Sequence, residues 1–323
     1  MKVIQKLVFH QFTLQNQKVQ DKIILSYQLF GQKLGKAPVV LVNHALTGNS
    51  QVIGESGWWN SLIGEGKTID TDQYTILAFN VPGNTYQDQE NSIENYKDFT
   101  VADIAAAFWK GVESLQIEKL YAAIGGSLGG AIAWQMAIQE PEKISHLIPV
   151  ATDWKSTDWL MANVLVQDSI LNNSKNPIAD ARMHAMLLYR TPQSLQFKFN
   201  REKQPDSDLF QIESWLLHHG DKLQKRFQLS AYKLMNHLLR TIDITNGNGN
   251  FEKTVEKVTS EIHIVAVDTD YFFTADENLK TYENLKKLGK KVNWHQIESI
   301  HGHDAFLIEF EQLNTILKDI FNK

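Results

Sequence analysis

The amino-acid sequence predicts an α/β fold with a mostly parallel central sheet, helices on both faces and one helical insertion. Short, nearly continuous apolar runs recur along the chain, which is typical of strands buried on both faces. Segments with helical spacing lie between these runs, and this alternation favours parallel strands joined by right-handed crossovers. A long stretch without strand-like runs interrupts the alternation, and we interpret it as the insertion.

The predicted strands begin with residues 22–31, where apolar and polar side chains alternate as in a strand with one exposed face. The buried strands are predicted at 38–45, 74–81, 120–126, 146–151 and 261–268, and the last strand at 291–299. Residues 100–115 and 130–139 have helical spacing and are predicted to cover the sheet.

The insertion is predicted at residues 155–250, which contain helix-like segments and end in the turn-rich sequence TNGNGN. We expect residues 1–154 and 251–323 to form the core domain. The insertion is expected to be a lid over the carboxyl edge of the sheet, where open α/β folds bind ligands.

Composition limits the possible partners. Of the 323 residues, 43% are hydrophobic and 21% charged, and the formal net charge is −5, so there is no basic surface typical of nucleic-acid binding. The sequence has no cysteine, which excludes disulfides, thiolate metal sites and a cysteine nucleophile. We therefore expect small-molecule substrates, with no nucleic acid and no membrane as partner.

The compartment is inferred from the N-terminal sequence and from the apolar runs. Residues 1–17 lack the apolar core and cleavage site of a signal peptide. No apolar run reaches the roughly 18 residues that suggest a membrane-spanning helix. We expect a cytoplasmic protein.

A G-x-S-x-G motif occupies residues 125–129, between a predicted strand and a predicted helix. This is the context of a nucleophile elbow, whose tight turn exposes the serine oxygen above the sheet. Ser127 is therefore a candidate nucleophile. A glycine-rich structural turn or a phosphate-binding loop is the alternative, but neither of the common nucleotide-binding glycine patterns fits these residues.

A serine nucleophile needs a base, and the base needs an orienting carboxylate. On folds of this kind the acid and then the histidine follow the serine along the chain. Asp268 and Asp270 follow one late strand, and His301 and His303 follow the last. Gly302 permits a sharp turn before His303. The other histidines lie elsewhere, and those in strand-like runs are His146, His263 and His295.

Six blocks in this order resemble the homoserine O-acetyltransferase family of the α/β-hydrolase superfamily. The blocks are residues 43–50, 57–81, 124–130, 180–199, 267–273 and 302–309. The resemblance implies an α/β-hydrolase fold, with Ser127 as nucleophile, Asp270 as acid and His303 as base. It also implies an oxyanion hole formed by the backbone N–H groups of Leu46 and Leu128.

The resemblance further implies that Arg182, Tyr189 and Asp304 bind the acceptor substrate. Arg182 and Tyr189 are about two helical turns apart and would share one helix face. A guanidinium binds the carboxylate of an amino acid, and a carboxylate binds its ammonium group. Ordinary surface salt bridges are the alternative for Arg182 and Asp304. His44 is expected to brace its loop through hydrogen bonds rather than to take part in chemistry.

The activity implied by the resemblance is ping-pong transfer of an acetyl group from acetyl-CoA to homoserine, a step in methionine biosynthesis. No metal and no permanently bound cofactor is expected, because acyl-CoA is a co-substrate. Whether the donor is acetyl-CoA or succinyl-CoA, and the acceptor homoserine or serine, stays open. The alternatives are an esterase that uses the same triad with water as acceptor, and a non-catalytic binding protein.

A homodimer is expected to form through the insertion. Residues 160–171 and 215–219 are more apolar than a lid over a small polar pocket requires, and large exposed apolar patches often mark interfaces. The alternative is a lid that packs only on its own sheet.

Overall fold

An eight-stranded sheet forms the centre of the molecule, of which the computed structural model describes residues 3–88 and 91–321. Along the chain the strands are β1 (Gln5–Thr13), β2 (Val19–Gly31), β3 (Val39–Asn43), β4 (Ile63–Gly64), β5 (Ile69–Asp70), β6 (Thr75–Phe79), β7 (Leu120–Gly126), β8 (Ile144–Val150), β9 (Glu261–Val267) and β10 (Val292–Ile297). The short strands β4 and β5 pair with each other outside the main sheet.

The helices follow the alternation that the sequence predicts. They are α1 (Val101–Ser114), α2 (Leu128–Gln139), α3 (Asp158–Asn173), α4 (Pro177–Tyr189), α5 (Pro192–Phe199), α6 (Gln211–Arg226), α7 (Leu229–Arg240), α8 (Phe251–Val255), α9 (Ala275–Lys287) and α10 (Phe310–Phe321). Two 3-10 helices cover Tyr96–Asp98 and Gly302–Leu307. Among the residues described, no helix has the length and apolar character needed to span a membrane.

The strand order in the main sheet is β1-β2-β6-β3-β7-β8-β9-β10. Strand β2 is antiparallel to β1 and to β6, and the pairs from β6 to β10 are parallel. The predicted mostly parallel α/β sheet is confirmed. Because the strands after β2 run in one direction, the loops that follow β3, β7, β9 and β10 meet at one edge.

Strand β1 is an element that the sequence analysis did not predict. Its side chains are mostly exposed or half-buried, so it lacks the continuous apolar run by which the central strands were recognised. Pairing with β2, for example Phe9 opposite Ile23, holds it as an edge strand. Strands β4 and β5 and helices α8 to α10 were not predicted either, and the predicted elements differ by one to three residues at their ends, with α2 beginning at Leu128 rather than at residue 130.

The two faces of the sheet pack against different helices. One apolar cluster joins the sheet to α1 and α2 through residues such as Phe79, Phe108 and Trp134. A second cluster, on the other face, contains Phe306 and the α10 residue Phe321. The predicted helices on both faces are therefore confirmed, and the sheet is fixed from both sides.

Helices α3 to α7 lie between β8 and β9, within the region predicted as an insertion. They pack mainly on one another, with α4 against α6 and α3 against α7 and α4. Arg226 at the end of α6 donates a hydrogen bond from Nη1 to the Thr47 carbonyl (3.1 Å), so the helical segment reaches the loop after β3. The division of the chain into a core domain and a lid at residues 155 and 250 stays a prediction.

Candidate active site

Ser127 stands on a tight turn between β7 and α2. Its backbone has φ +56° and ψ −126°, a conformation that side-chain-bearing residues seldom adopt and that the surroundings must impose. The Ser127 N–H donates a hydrogen bond to the Val150 carbonyl (2.9 Å), which anchors the turn to the neighbouring strand β8. The geometry is that of the predicted elbow.

Gly129 explains why the motif needs a glycine after the serine. A Cβ at this position would lie 2.3 Å from the carbonyl oxygen of Asn43, so no side chain fits there. The Asn43 side chain donates a hydrogen bond from Nδ2 to the Gly129 carbonyl (3.2 Å). The end of β3 is thereby held directly against the elbow.

The structure brings the predicted acid, base and nucleophile together. The hydroxyl of Ser127 lies 2.9 Å from Nε2 of His303, and Nδ1 of His303 lies 2.7 Å from Oδ2 of Asp270. The other oxygen of Asp270 accepts hydrogen bonds from the N–H groups of Phe272 (2.6 Å) and Phe273 (3.0 Å). The ionised carboxylate can only accept, so Nδ1 carries the proton and Nε2 is the acceptor for the serine hydroxyl.

The His303 ring is buried among aromatic side chains. Ser127 is 4% exposed, and Asp270 and His303 are each 3% exposed. Four aromatic rings have centroids 5.0 to 5.8 Å from the His303 ring: Tyr189, Phe272, Phe273 and Phe306. The preceding Gly302 has φ +67°, which gives the sharp turn that the sequence predicts.

The competing acid and base candidates bind elsewhere. Asp268 accepts a hydrogen bond from the Ser299 N–H (2.9 Å) and so joins the loops after β9 and β10. The Nδ1 atom of His301 lies 2.8 Å from the Ser194 hydroxyl and 3.1 Å from Nη1 of Arg190. Arginine can only donate, so this nitrogen is an acceptor.

The predicted oxyanion-hole residues flank the elbow in the chain. Leu128 is the first residue of α2, where an N–H group has no acceptor within the helix. Leu46 follows β3 closely, and the Asn43 contact holds the end of that strand against Gly129. Both leucines are buried, at 6% exposure or less. The role of their N–H groups stays a prediction.

His44 braces its loop, as the sequence analysis expected. Its Nδ1 atom lies 2.8 Å from the Ala45 carbonyl, and its Nε2 accepts a hydrogen bond from the Val81 N–H (3.0 Å). The ring is therefore neutral with its proton on Nδ1. Burial lowers the pKa of His44 to about 4, consistent with this assignment.

The three predicted acceptor-binding residues share one neighbourhood. The Arg182 guanidinium carbon lies 5.6 Å from the centroid of the Tyr189 ring, which itself packs against His303. Burial raises the pKa of Tyr189 to about 12, while the charge of Arg182 lowers it and that of Asp304 raises it. Arg182 and Tyr189 thus lie together on α4, with Asp304 close to both.

Arg190 is a further charged residue here, and the sequence analysis missed it. Its Nε lies 3.3 Å from Oδ2 of Asp304, and the two side chains are 14% and 18% exposed. Burial raises the pKa of Asp304, and the positive charges of Arg182 and Arg190 oppose that rise. The residue pattern gave no signal for Arg190, because its partner Asp304 lies far along the chain, in the 3-10 helix Gly302–Leu307.

These features define a class of protein. A family model described as the alpha/beta hydrolase fold matches residues 38–199. The chain is 34% identical over 320 residues to a homoserine O-acetyltransferase of Cyclobacterium marinum, an alignment that covers 92% of this chain and 89% of that protein. The chain belongs to the homoserine O-acetyltransferase family of α/β-hydrolase-fold enzymes.

Solved structures share the whole fold. The homoserine O-acetyltransferase from Bacillus anthracis superposes with a TM-score of 0.87 at 20% identity and covers 100% of this chain and 99% of its own. Esterase E22 superposes with a TM-score of 0.85 at 18% identity and covers 99% of this chain and 100% of its own. At such identities the likeness shows the fold alone, and the fold is common to a transferase and an esterase.

Proposed function

We propose that this chain transfers an acetyl group from acetyl-CoA to the hydroxyl of homoserine by a ping-pong mechanism. The observation that carries the proposal is the hydrogen-bonded series Ser127–His303–Asp270, with distances of 2.9 and 2.7 Å. The names of the relatives supply the acceptor: they are homoserine O-acetyltransferases. The product would enter methionine biosynthesis.

In the first half-reaction His303 takes the proton of the Ser127 hydroxyl at Nε2, and Oγ attacks the thioester carbonyl carbon. The N–H groups of Leu46 and Leu128 stabilise the resulting oxyanion. The carbon–sulfur bond then breaks, and the proton passes from His303 to the CoA sulfur. Asp270 accepts the Nδ1 hydrogen bond throughout and stabilises the imidazolium.

In the second half-reaction the homoserine hydroxyl gives its proton to Nε2 of His303 and attacks the acyl-serine carbonyl. The bond between that carbon and Ser127 Oγ breaks, and the serine recovers its proton from His303. Water must be excluded from the acyl-enzyme during this exchange. The four aromatic rings around His303 and its 3% exposure support such exclusion.

Recognition of the acceptor is assigned to the charged groups beside His303. The Arg182 guanidinium binds the substrate carboxylate, and Asp304 binds its ammonium group. Arg190 contacts one oxygen of Asp304. A carboxylate has about four lone-pair sites, so Asp304 can bind the Arg190 guanidinium and the substrate ammonium group at the same time. Tyr189 borders the same space and packs against the His303 ring.

The test separates acyl transfer from hydrolysis. The protein is incubated with acetyl-CoA and homoserine together, and acetylhomoserine and free acetate are quantified. Acetylhomoserine is expected to exceed acetate by at least about tenfold at saturating homoserine. If acetate predominates, water is the acceptor and the esterase alternative replaces this proposal.

The donor and the covalent step are tested by mass spectrometry. Acetyl-CoA without acceptor is expected to leave an acetyl group on the peptide that contains Ser127, and homoserine is expected to remove it. Ser127→Ala is the matched control and should stay unmodified. Stronger labelling by succinyl-CoA would show that succinyl-CoA is the donor. Removal of the label by serine rather than homoserine would show that serine is the acceptor.

We further propose that two copies associate through the helical segment. Leu165 is 70% exposed, Val166 45% and Leu217 49%, so apolar side chains of α3 and α6 face solvent in one copy. Sedimentation at micromolar concentration is expected to give a dimer, and Leu165→Asp a monomer. Val8→Asp, at the 46%-exposed Val8 of β1, is the control and should remain dimeric. A monomeric native protein would refute the proposal.

A further inference from the structure

Two histidines and a glutamate face one another at the end of the sheet opposite the elbow. His146 is the third residue of β8, and Glu261 and His263 are the first and third residues of β9. His146 and Glu261 are paired across these parallel strands. The nucleophile, acid and base follow the carboxyl ends of strands, whereas this cluster lies near the amino ends, so it is separate from the site described above.

The nitrogen–nitrogen distance within the cluster is that of a metal site, and the carboxylate lies slightly farther away. The Nδ1 atom of His146 lies 3.2 Å from Nε2 of His263, and the Glu261 carboxylate oxygens lie 4.0 and 3.9 Å from these two nitrogens. Two nitrogen ligands on a tetrahedral zinc ion are about 3.3 Å apart. The 3.2 Å between the two imidazole nitrogens is close to this value. The Glu261 side chain is 36% exposed, so its carboxylate has room to rotate by the remaining fraction of an ångström.

We propose that His146 Nδ1, His263 Nε2 and a carboxylate oxygen of Glu261 bind a zinc ion, with water as the fourth ligand. Two imidazoles and one carboxylate are a ligand set that zinc accepts in proteins. The histidine side chains are 11% and 6% exposed, so their orientation is fixed by packing, and the partly exposed glutamate gives the ion a route from solvent.

A side chain on strand β10 contacts two of the proposed ligands. Asn293 lies opposite His263 in the strand register, and its Nδ2 is 2.9 Å from Oε1 of Glu261 and 3.3 Å from Nδ1 of His263. Metal-binding histidines generally have a polar partner on their second ring nitrogen, which fixes the ring. Zinc on Nε2 would move the His263 proton to Nδ1, so the Asn293 amide would turn over to accept it, and the zinc bond of the Glu261 carboxylate would replace its present hydrogen bond from Asn293.

The consequence of zinc binding is stabilisation rather than catalysis. The ion would join β8 to β9, which enclose the whole helical segment between them in the chain. A ligand that binds only the folded chain raises its stability in proportion to the logarithm of its concentration over Kd. At free zinc about 100-fold above Kd, the thermal midpoint is expected to rise by several degrees.

The test measures zinc binding to the full chain by isothermal titration at pH 7.5, without reference to acyl transfer. One zinc ion per chain is expected, with Kd in the micromolar range or below. Glu261→Gln and His263→Ala should each weaken binding by at least about 100-fold. His295→Ala is the matched control, because the His295 ring stacks on His263 at 5.9 Å without being a proposed ligand, and it should bind zinc as the native chain does.

A second control addresses the catalytic histidine, which is also a possible zinc ligand. His303→Ala should bind zinc unchanged at the proposed site. If His303→Ala loses the ion while Glu261→Gln keeps it, the proposal is wrong. It is also wrong if the native chain binds none, since the cluster is then an ordinary hydrogen-bonded group. Should His263→Ala fail to fold by circular dichroism, Glu261→Gln decides, because its side chain is at the surface and changes little in size.

Discussion

The groups that make and break bonds are held differently from the groups that would recognise the acceptor. Ser127, Asp270 and His303 follow the ends of strands and are 3% to 4% exposed. The Arg190 and Asp304 side chains are 14% and 18% exposed and form an ion pair, and Nη1 of Arg190 also lies 3.1 Å from Nδ1 of His301. Backbone geometry therefore fixes the Ser127–His303–Asp270 series, whereas the proposed acceptor site includes Arg182 and Arg190, whose long side chains have more rotamer freedom. Substitutions can then change specificity without disturbing the triad.

Removing a triad member should have the largest effect. Ser127→Ala and His303→Ala are each expected to lower kcat by about 10⁴-fold or more, because triad residues act as a unit. Asp270→Asn should also abolish most turnover, since it disturbs the tautomer of His303. The measurement is release of CoA thiol with a chromogenic thiol reagent.

The controls for the triad are the neighbouring acid and histidine. Asp268→Asn and His301→Ala should keep most of the activity, because Asp268 binds the Ser299 N–H and His301 binds Ser194. An inactive Asp268→Asn beside an active Asp270→Asn would show that the acid is assigned to the wrong residue.

Arg182→Ala should have the next largest effect, on the second half-reaction alone. Loss of a bidentate ion pair with the substrate carboxylate is expected to raise the KM for homoserine by about 10²-fold, or to lower kcat correspondingly. Asp304→Ala should behave similarly. Acylation of Ser127 by acetyl-CoA, followed by mass spectrometry, should stay near the native rate.

Arg240→Ala is the matched control for the helical segment, since Arg240 is exposed on α7. It should leave both half-reactions unchanged. If Arg182→Ala and Asp304→Ala instead acylate slowly and keep a normal KM for homoserine, the amino-acid acceptor is wrong and an esterase is the better assignment.

Arg190→Gln should have a smaller effect that depends on pH. The Arg190 charge lowers the pKa of Asp304, so its removal lets that pKa rise further. A protonated Asp304 cannot pair with an ammonium group. The KM for homoserine should therefore increase about tenfold at neutral pH and increase further as pH falls, starting at a higher pH than in the native protein. Arg190→Lys keeps the charge and should recover most of the native pH profile. If the KM for homoserine depends on pH identically in all three proteins, Arg190 has no influence on acceptor binding.

Asp153→Asn should change stability and leave activity unchanged. Burial raises the pKa of Asp153 from 3.8 to about 7, although hydrogen bonds from the Trp154 N–H and the Thr281 hydroxyl lower it. A carboxyl group whose pKa is higher in the folded than in the unfolded protein makes its full contribution to stability below about pH 4. This contribution is lost as the pH rises to 7. The difference in unfolding free energy, variant minus native, should therefore increase over that range, by up to about 4 kcal/mol. Urea unfolding of both proteins at pH 4.5, 6 and 7.5 measures this difference. A difference that does not change with pH would contradict the raised pKa of Asp153.

The parts of the site that the sequence predicts are those with local signals. The glycines around Ser127 identify the turn because backbone contacts such as Gly129 against Asn43 exclude any side chain. Chain order limited the acid and base to two candidates each. The family resemblance chose Asp270 over Asp268, and in the structure Asp270 contacts His303 and accepts hydrogen bonds from the N–H groups of Phe272 and Phe273.

The parts that could not be predicted depend on pairs of residues far apart in the chain. Arg190 reaches Asp304 only because α4 packs against the 3-10 helix Gly302–Leu307. His146 and His263 looked like ordinary strand residues, and only the alignment of β8 with β9 brings their rings together. Strand β1 was missed for the same reason, since its half-exposed side chains become a strand through pairing with β2.

The elbow at Ser127 also links activity to the order of folding. Its left-handed backbone is held by Val150 of β8 and by the approach of Asn43 of β3 to Gly129, so neither β7 nor α2 alone can impose it. A partly folded chain in which these strands have not yet paired lacks the contacts that hold Ser127 in this conformation. Recovery of acyl transfer during refolding is therefore expected to follow completion of the sheet.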